Sequence, residues 1–137
     1  MYSTKYIKPN STSEALEAIK SMGEGKFLAG GMTLIPTLKQ RLASPDGLVD
    51  ISGCDLDSIS DEGDAIKIGA MTKHASVAES GLVNKAIPAL ANLADGIGDR
   101  QVRNRGTLGG SVANNDPSAC YPSCLLYTSD AADEAKC

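Results

Sequence analysis

The sequence is short of metal ligands. It has one histidine, His74, and four cysteines, of which Cys120, Cys124 and Cys137 crowd the last stretch while Cys54 stands alone. No C-x-x-C pair occurs, so neither a zinc site nor an iron–sulfur cluster finds its ligand spacing. No apolar run approaches the ~20 residues of a membrane-spanning helix, and Met1 to Tyr6 lacks the apolar centre of a secretion signal. Both absences point to a soluble, cytoplasmic protein. Positive charge is not in excess either. Lys and Arg number 13 against 17 Asp and Glu, a formal net charge of -4, which speaks against general binding to nucleic acid or anionic membranes. Internal repeats and low-complexity linkers are absent as well.

What remains is a chain of 137 residues, 42% hydrophobic, a length that suits one domain with its own core. The opening stretch around Tyr6-Ile7-Lys8 reads as extended and closes at Pro9. Ser11 with Glu14 three residues later forms a capping box, and Ala15, Leu16, Ala18, Ile19 and Met22 follow at helical spacing until Gly23 and Gly25. Lys26 to Ala29 reads as a buried strand. A helix is expected from about Thr33 to Arg41, with Pro36 in its first turn, where a missing N–H is harmless. Leu48 to Ile51 and Ile66 to Ala70 read as strands. Helical segments are expected at Lys73 to Glu79 and at Asn84 to about Leu93, with Pro88 inside or between turns. Gly96 to Gly110 reads as loop around one short element. Strands interleaved with helices give an α/β or α+β domain.

Glycine, 14 residues in all, gathers in two places. Phe27-Leu28-Ala29-Gly30-Gly31-Met32-Thr33-Leu34 predicts a strand, a glycine turn and a helix start. Bare glycine backbone admits close approach of a ligand, and first-turn amides lack internal partners and favour negative charge. Taken alone, the turn is better explained as a connection that needs glycine only to bend. It is neither G-x-G-x-x-G nor a Walker loop. Arg103-Asn104-Arg105-Gly106-Thr107-Leu108-Gly109-Gly110-Ser111 repeats the pattern with arginines upstream, which suit an anion, or which pair with Asp95 and Asp99 in a solvated loop. Two such loops, both built for backbone donation, predict a ligand with two phosphates lying between them. A dinucleotide fits.

These residues together resemble a known family. Leu28 to Lys39 resembles the first flavin-pyrophosphate loop of the FAD-binding subunits of molybdenum hydroxylases, the carbon monoxide dehydrogenase and xanthine dehydrogenase family. Ile68-Gly69-Ala70-Met71-Thr72-Lys73-His74 resembles its middle signature, and Arg103 to Pro117 its second flavin loop. The resemblance covers residues 1–123, in the right order. It implies an α+β architecture: the FAD-binding fold of the vanillyl-alcohol oxidase and molybdenum hydroxylase flavoproteins, incomplete here. It implies FAD held by Ala29, Gly30, Gly31, Met32, Thr33 and Leu34 on one side and by Thr107, Leu108, Gly109, Gly110 and Ser111 on the other. Thr72 and His74 would be brought toward the flavin. The chemistry would belong to the isoalloxazine ring, which the protein positions and tunes. The implied role is an electron-transfer subunit, taking electrons from the clusters of an iron–sulfur small subunit that serves a molybdopterin-binding large subunit. A single-chain FAD oxidase of the same fold and a non-redox phosphate-binding fragment stay open as alternatives.

Two departures stand out. Where the family carries an aspartate before Tyr121-Pro122, this chain has Cys120, and a thiol is a far weaker acceptor than a carboxylate. From Cys124 the string Cys-Leu-Leu-Tyr-Thr-Ser-Asp-Ala-Ala-Asp-Glu resembles translated sequencing-adapter read-through. Residues 124–137 are therefore expected to be a non-native tail on a truncated FAD-binding domain.

Overall fold

A computed structural model describes residues 1–116 and Tyr121 of the chain. The opening strand, the first helix and two further strands form a small parallel unit. β1 (Lys5–Ile7), β2 (Gly25–Leu28) and β3 (Gly47–Asp50) make a parallel sheet in the order β1-β3-β2. β3 lies in the middle, with Tyr6 and Lys26 both level with Leu48 and with Ile7 and Phe27 both level with Val49. That position explains its unbroken apolar run, because a central parallel strand is covered on both faces. Leu48 and Val49 are buried.

α1 (Thr12–Lys20) starts where the capping box predicts. The Ser11 hydroxyl accepts from the Glu14 amide at 3.2 Å, but the Glu14 carboxylate takes the Asn10 amide at 2.9 Å, one residue further back than the usual box. Its apolar stripe, with Ala15 at the centre, packs on Val49 and Cys54, joined by Ala18, Ile19 and Met22. α2 (Leu34–Lys39) is shorter than expected and buries Leu38; Pro36 falls in its first turn.

The second unit is built on an antiparallel hairpin. β5 (Ile66–Ile68) pairs with β4 (Ile59–Asp61), a strand whose polar Ser60 and Asp61 hide its alternation in sequence. α3 (His74–Glu79), α4 (Gly81–Ala86) and α5 (Pro88–Asp95) pack together beside it. Pro88 takes the first position of α5 and so divides what reads as one helical segment. Val77, Val83, Leu90, Ala91, Ala94 and Tyr121 form the core of this unit, with Ile59, Ile66 and Ile68 of the hairpin against it. α6 (Arg100–Arg103) is the short element of the glycine- and arginine-rich stretch. α7 (Leu108–Asn114) is a helix where sequence predicts loop, because Gly109 and Gly110 oppose helix propensity. The observed architecture is α+β. Cys120, Cys124, Cys137 and the expected tail over 124–137 lie outside the described residues.

Leu90 is 3% exposed, so Leu90→Ala will remove core volume that its neighbours cannot refill and cost about 2–5 kcal/mol. Leu42, 73% exposed, is the matched control, and Leu42→Ala will stay within about 0.5 kcal/mol. Urea unfolding of the three proteins reads both differences.

Candidate functional site

The first glycine loop leaves the carboxyl end of β2, the side of an open parallel sheet on which ligands characteristically bind. Gly31 has φ +76°, a left-handed conformation that disfavours any side chain, and an added Cβ would also stand 2.9 Å from Ile35. This turn aims a run of amides outward. The N–H groups of Gly31, Met32, Thr33 and Leu34 donate to no group among the described residues, while the Gly31 and Thr33 carbonyls already accept from Ile35 and Thr37. Met32 and Thr33 are exposed. Open, unspent amides of this kind are anion donors.

The second loop behaves differently. The Leu108 amide donates to the Thr72 carbonyl and the Gly109 amide to the Ala70 carbonyl, both at 2.9 Å. The Gly110 amide is capped by the Thr107 hydroxyl at 3.1 Å, and the Ser111 amide bonds the Thr107 carbonyl at 3.0 Å. The amides of Leu108, Gly109 and Gly110, expected to face a cofactor, donate inside the protein in this structure. The glycines serve close packing instead. A Cβ on Gly109 would meet Ala70 at 2.5 Å, and one on Gly110 would come to 3.3 Å of Ala29. Ser111 stays half-buried.

The two loops also touch. A Cβ on Gly30 would stand 2.3 Å from the Arg105 carbonyl oxygen and 2.9 Å from the Gly106 α-carbon. There is thus no gap between the loops at Gly30.

Thr72 and His74, expected to approach the flavin, are enclosed by protein at 1% and 4% exposure. Their segment lies against the second loop, through the Ala70 and Thr72 carbonyls and a bond from the His74 amide to the Gly106 carbonyl. Nδ1 of His74 sits 2.8 Å from the Tyr121 hydroxyl. The Thr72 hydroxyl is buried without a hydrogen-bond partner among the described residues. The arginines are not paired as the solvated-loop reading expects. Arg103 donates to the carbonyls of Ile97 and Gly98, at 3.2 and 3.0 Å, and Asp99 caps α6 through the Val102 amide. Arg100 and Arg103 line a cleft of about 250 Å³ with Glu79, Asp95 and Asn104. Tyr121 is the site-forming residue that spacing alone misses; its only sequence signal is the Tyr-Pro pair of the family resemblance.

Two measurements check this geometry. Gly30→Ala will push the loops apart and cost about 1–3 kcal/mol, whereas Gly81→Ala, with nothing within 4 Å of the added Cβ, will be neutral or mildly stabilising. The pH dependence follows from His74. Burial holds its pKa below the ordinary 6.5, so as pH falls through that value the unfolded chain takes up a proton that the folded chain does not. Stability will therefore drop with pH from about 6.5 downward until the folded-state pKa is passed. His74→Gln will flatten the drop in this window, as read by thermal unfolding from pH 7.5 to 5.

Comparison with known proteins agrees with the geometry. The family of FAD-binding domains in molybdopterin dehydrogenases matches residues 2–132. The chain is 41% identical over 120 residues to the carbon monoxide dehydrogenase medium chain of Hydrogenophaga pseudoflava, covering 86% of this chain and 42% of that one. It is 35% identical to the nicotine 6-hydroxylase medium subunit of Paenarthrobacter nicotinovorans, covering 89% and 44%. Among solved structures, a carbon monoxide dehydrogenase from Hydrogenophaga pseudoflava superposes with TM-score 0.86 at 41% identity, over 88% of this chain and 43% of that chain. Quinoline 2-oxidoreductase from Pseudomonas putida 86 gives 0.81 at 34% identity, over 84% and 41%. The chain thus spans less than half the length of these relatives. With its first loop, middle segment and second loop assembled in this way, the chain belongs to the family of FAD-binding domains in molybdopterin dehydrogenases.

Proposed function

We propose that the chain binds FAD through the diphosphate, with the amides of Gly31, Met32, Thr33 and Leu34 as donors and the Ser111 hydroxyl as a contact from the second loop. The observation that carries this reading is the row of amides without partners among the described residues, on a loop exposed at Met32 and Thr33, in a chain of the FAD-binding family. Ala29 and Gly30 shape the loop against Arg105 and Gly106. Thr107, Leu108, Gly109 and Gly110 build a wall beside it and keep their own donors satisfied. Thr72 and His74 stand behind that wall and support it.

When bound, FAD would supply a carrier that takes up electrons one at a time and can pass them on singly or as a pair. The protein's part is to bind, orient and shield it. In the whole protein, this domain serves an oxidoreductase subunit that passes electrons from iron–sulfur clusters of a small subunit, fed by a molybdopterin-binding large subunit, through FAD to an acceptor. The naming of relatives as medium chains and medium subunits supports that division of labour over a single-chain oxidase. Among the described residues no helix is long and apolar enough to cross a membrane, and no group of three or more His, Cys, Asp and Glu is placed to hold a metal.

Flavin fluorescence during titration tests the site. FAD will be quenched saturably, ADP will compete, and riboflavin, which lacks phosphate, will bind far more weakly. Gly31→Val, which cannot hold the turn, will weaken FAD at least about tenfold. Equal affinity for riboflavin and FAD, or undiminished FAD binding by Gly31→Val, contradicts a diphosphate site on this loop.

A further inference from the structure

His74 is the one buried histidine, and Tyr121 is the largest fully buried side chain among the described residues. Their partners are on the page. His74 opens α3, and its amide donates to the Gly106 carbonyl at 3.1 Å. Its ring fits so closely over Gly106 that an added Cβ would stand 2.7 Å from Nε2. Its other ring nitrogen, Nδ1, meets the Tyr121 hydroxyl at 2.8 Å, with the two rings tilted at 38° and their centres 5.2 Å apart. Tyr121 in turn is set in the core formed by α3, α4 and α5.

One imidazole thus touches the chain at two places: Gly106 within the second loop and Tyr121 beyond the helix that closes it. The second loop is in turn the surface on which Gly30 and Ala29 rest. We propose that His74 is a positioning residue for the cofactor, a clamp that joins Gly106 to Tyr121 and so fixes the wall against which the first loop presents its amides. It acts through the second loop, without touching the ligand. The inference rests on the FAD reading above, but its structural half stands independently of it.

Burial supports this division of roles. A ring enclosed at 4% exposure is poorly placed to meet an incoming ligand, yet each of its polar contacts falls on an element bordering the wall. The Tyr121 hydroxyl is the finest handle on the clamp, since Tyr121→Phe removes one oxygen and keeps the ring in the core. Removing it leaves His74 Nδ1 without that partner inside the protein, the costly side of hydrogen-bond deletion.

The test uses the full chain, with Leu90→Ala as the control. Leu90 lies in the same core as Tyr121 but touches neither loop in the contacts above. Amide hydrogen exchange is the first readout. Tyr121→Phe will speed exchange at Leu108 and Gly109 by about tenfold relative to wild type while leaving β3 unchanged. Leu90→Ala will show no such selective loss. FAD affinity of the folded protein is the second readout, and Tyr121→Phe will weaken it about tenfold while Leu90→Ala stays within about twofold. Unchanged exchange at Leu108 and Gly109 in Tyr121→Phe overturns the clamp. So does an equal loss in both variants, because that is what a purely structural role produces. So also does selective loosening of the loop with FAD affinity unchanged, which removes the link to the cofactor. If wild type itself fails to bind FAD, the functional reading and the positioning role both fail, and the exchange result still shows whether the clamp exists.

Discussion

The site hangs on a narrow antiparallel strip between residues 70–74 and 106–109. It consists of the Gly109 amide on the Ala70 carbonyl, the Leu108 amide on the Thr72 carbonyl and the His74 amide on the Gly106 carbonyl, with Lys73 bridged to Thr107. The strip belongs to neither sheet, yet it decides where the second loop stands. Once the second loop is fixed, Gly30 has a backbone surface to rest on, and the first loop can turn its amides outward. The parallel unit supplies the loop and the helical unit supplies its support. The two meet at the glycines.

That division gives the two glycine loops unlike tasks, although their sequences look alike. Around Gly31 the conformation itself matters, since φ is positive and the following amides are unspent. Around Gly109 what matters is the missing side chain, since the Ala70 backbone occupies the space a Cβ would need. An anion site needs donors that the fold has not consumed. It also needs a scaffold rigid enough to keep them unconsumed, and a scaffold reaches that rigidity by consuming its own donors. The second loop has done so; the first has not.

Much of this was legible in sequence, for physical reasons that differ by element. The start of α1 showed in Ser11 and Glu14 because capping is local chemistry. β3 showed in Leu48 and Val49 because central strands are uniformly apolar. The two loops showed because paired glycines with flanking hydroxyls are rare enough to notice. β4 did not show, because its strand character comes from pairing with β5 and its own residues are largely polar. α7 did not show, because its glycines argue against a helix that Thr107 capping and packing enforce. Least legible was which loop keeps its amides unpaired among the described residues. Both sequences offer amides, and only the tertiary partners of Leu108 and Gly109 show that theirs are taken. His74 is expected near the cofactor by resemblance, and the fold buries it against Gly106 and Tyr121.

The most direct measurement is a map of backbone amide shifts, by two-dimensional NMR of the nitrogen-labelled chain, as FAD is added. The account predicts that the largest shifts fall on Gly31, Met32, Thr33 and Leu34, with Ser111 following, while Leu108 and Gly109 keep their protein hydrogen bonds and move little. Shifts centred on Leu108 and Gly109, or on the cleft lined by Arg100 and Asp95, with the first loop unmoved, would contradict it.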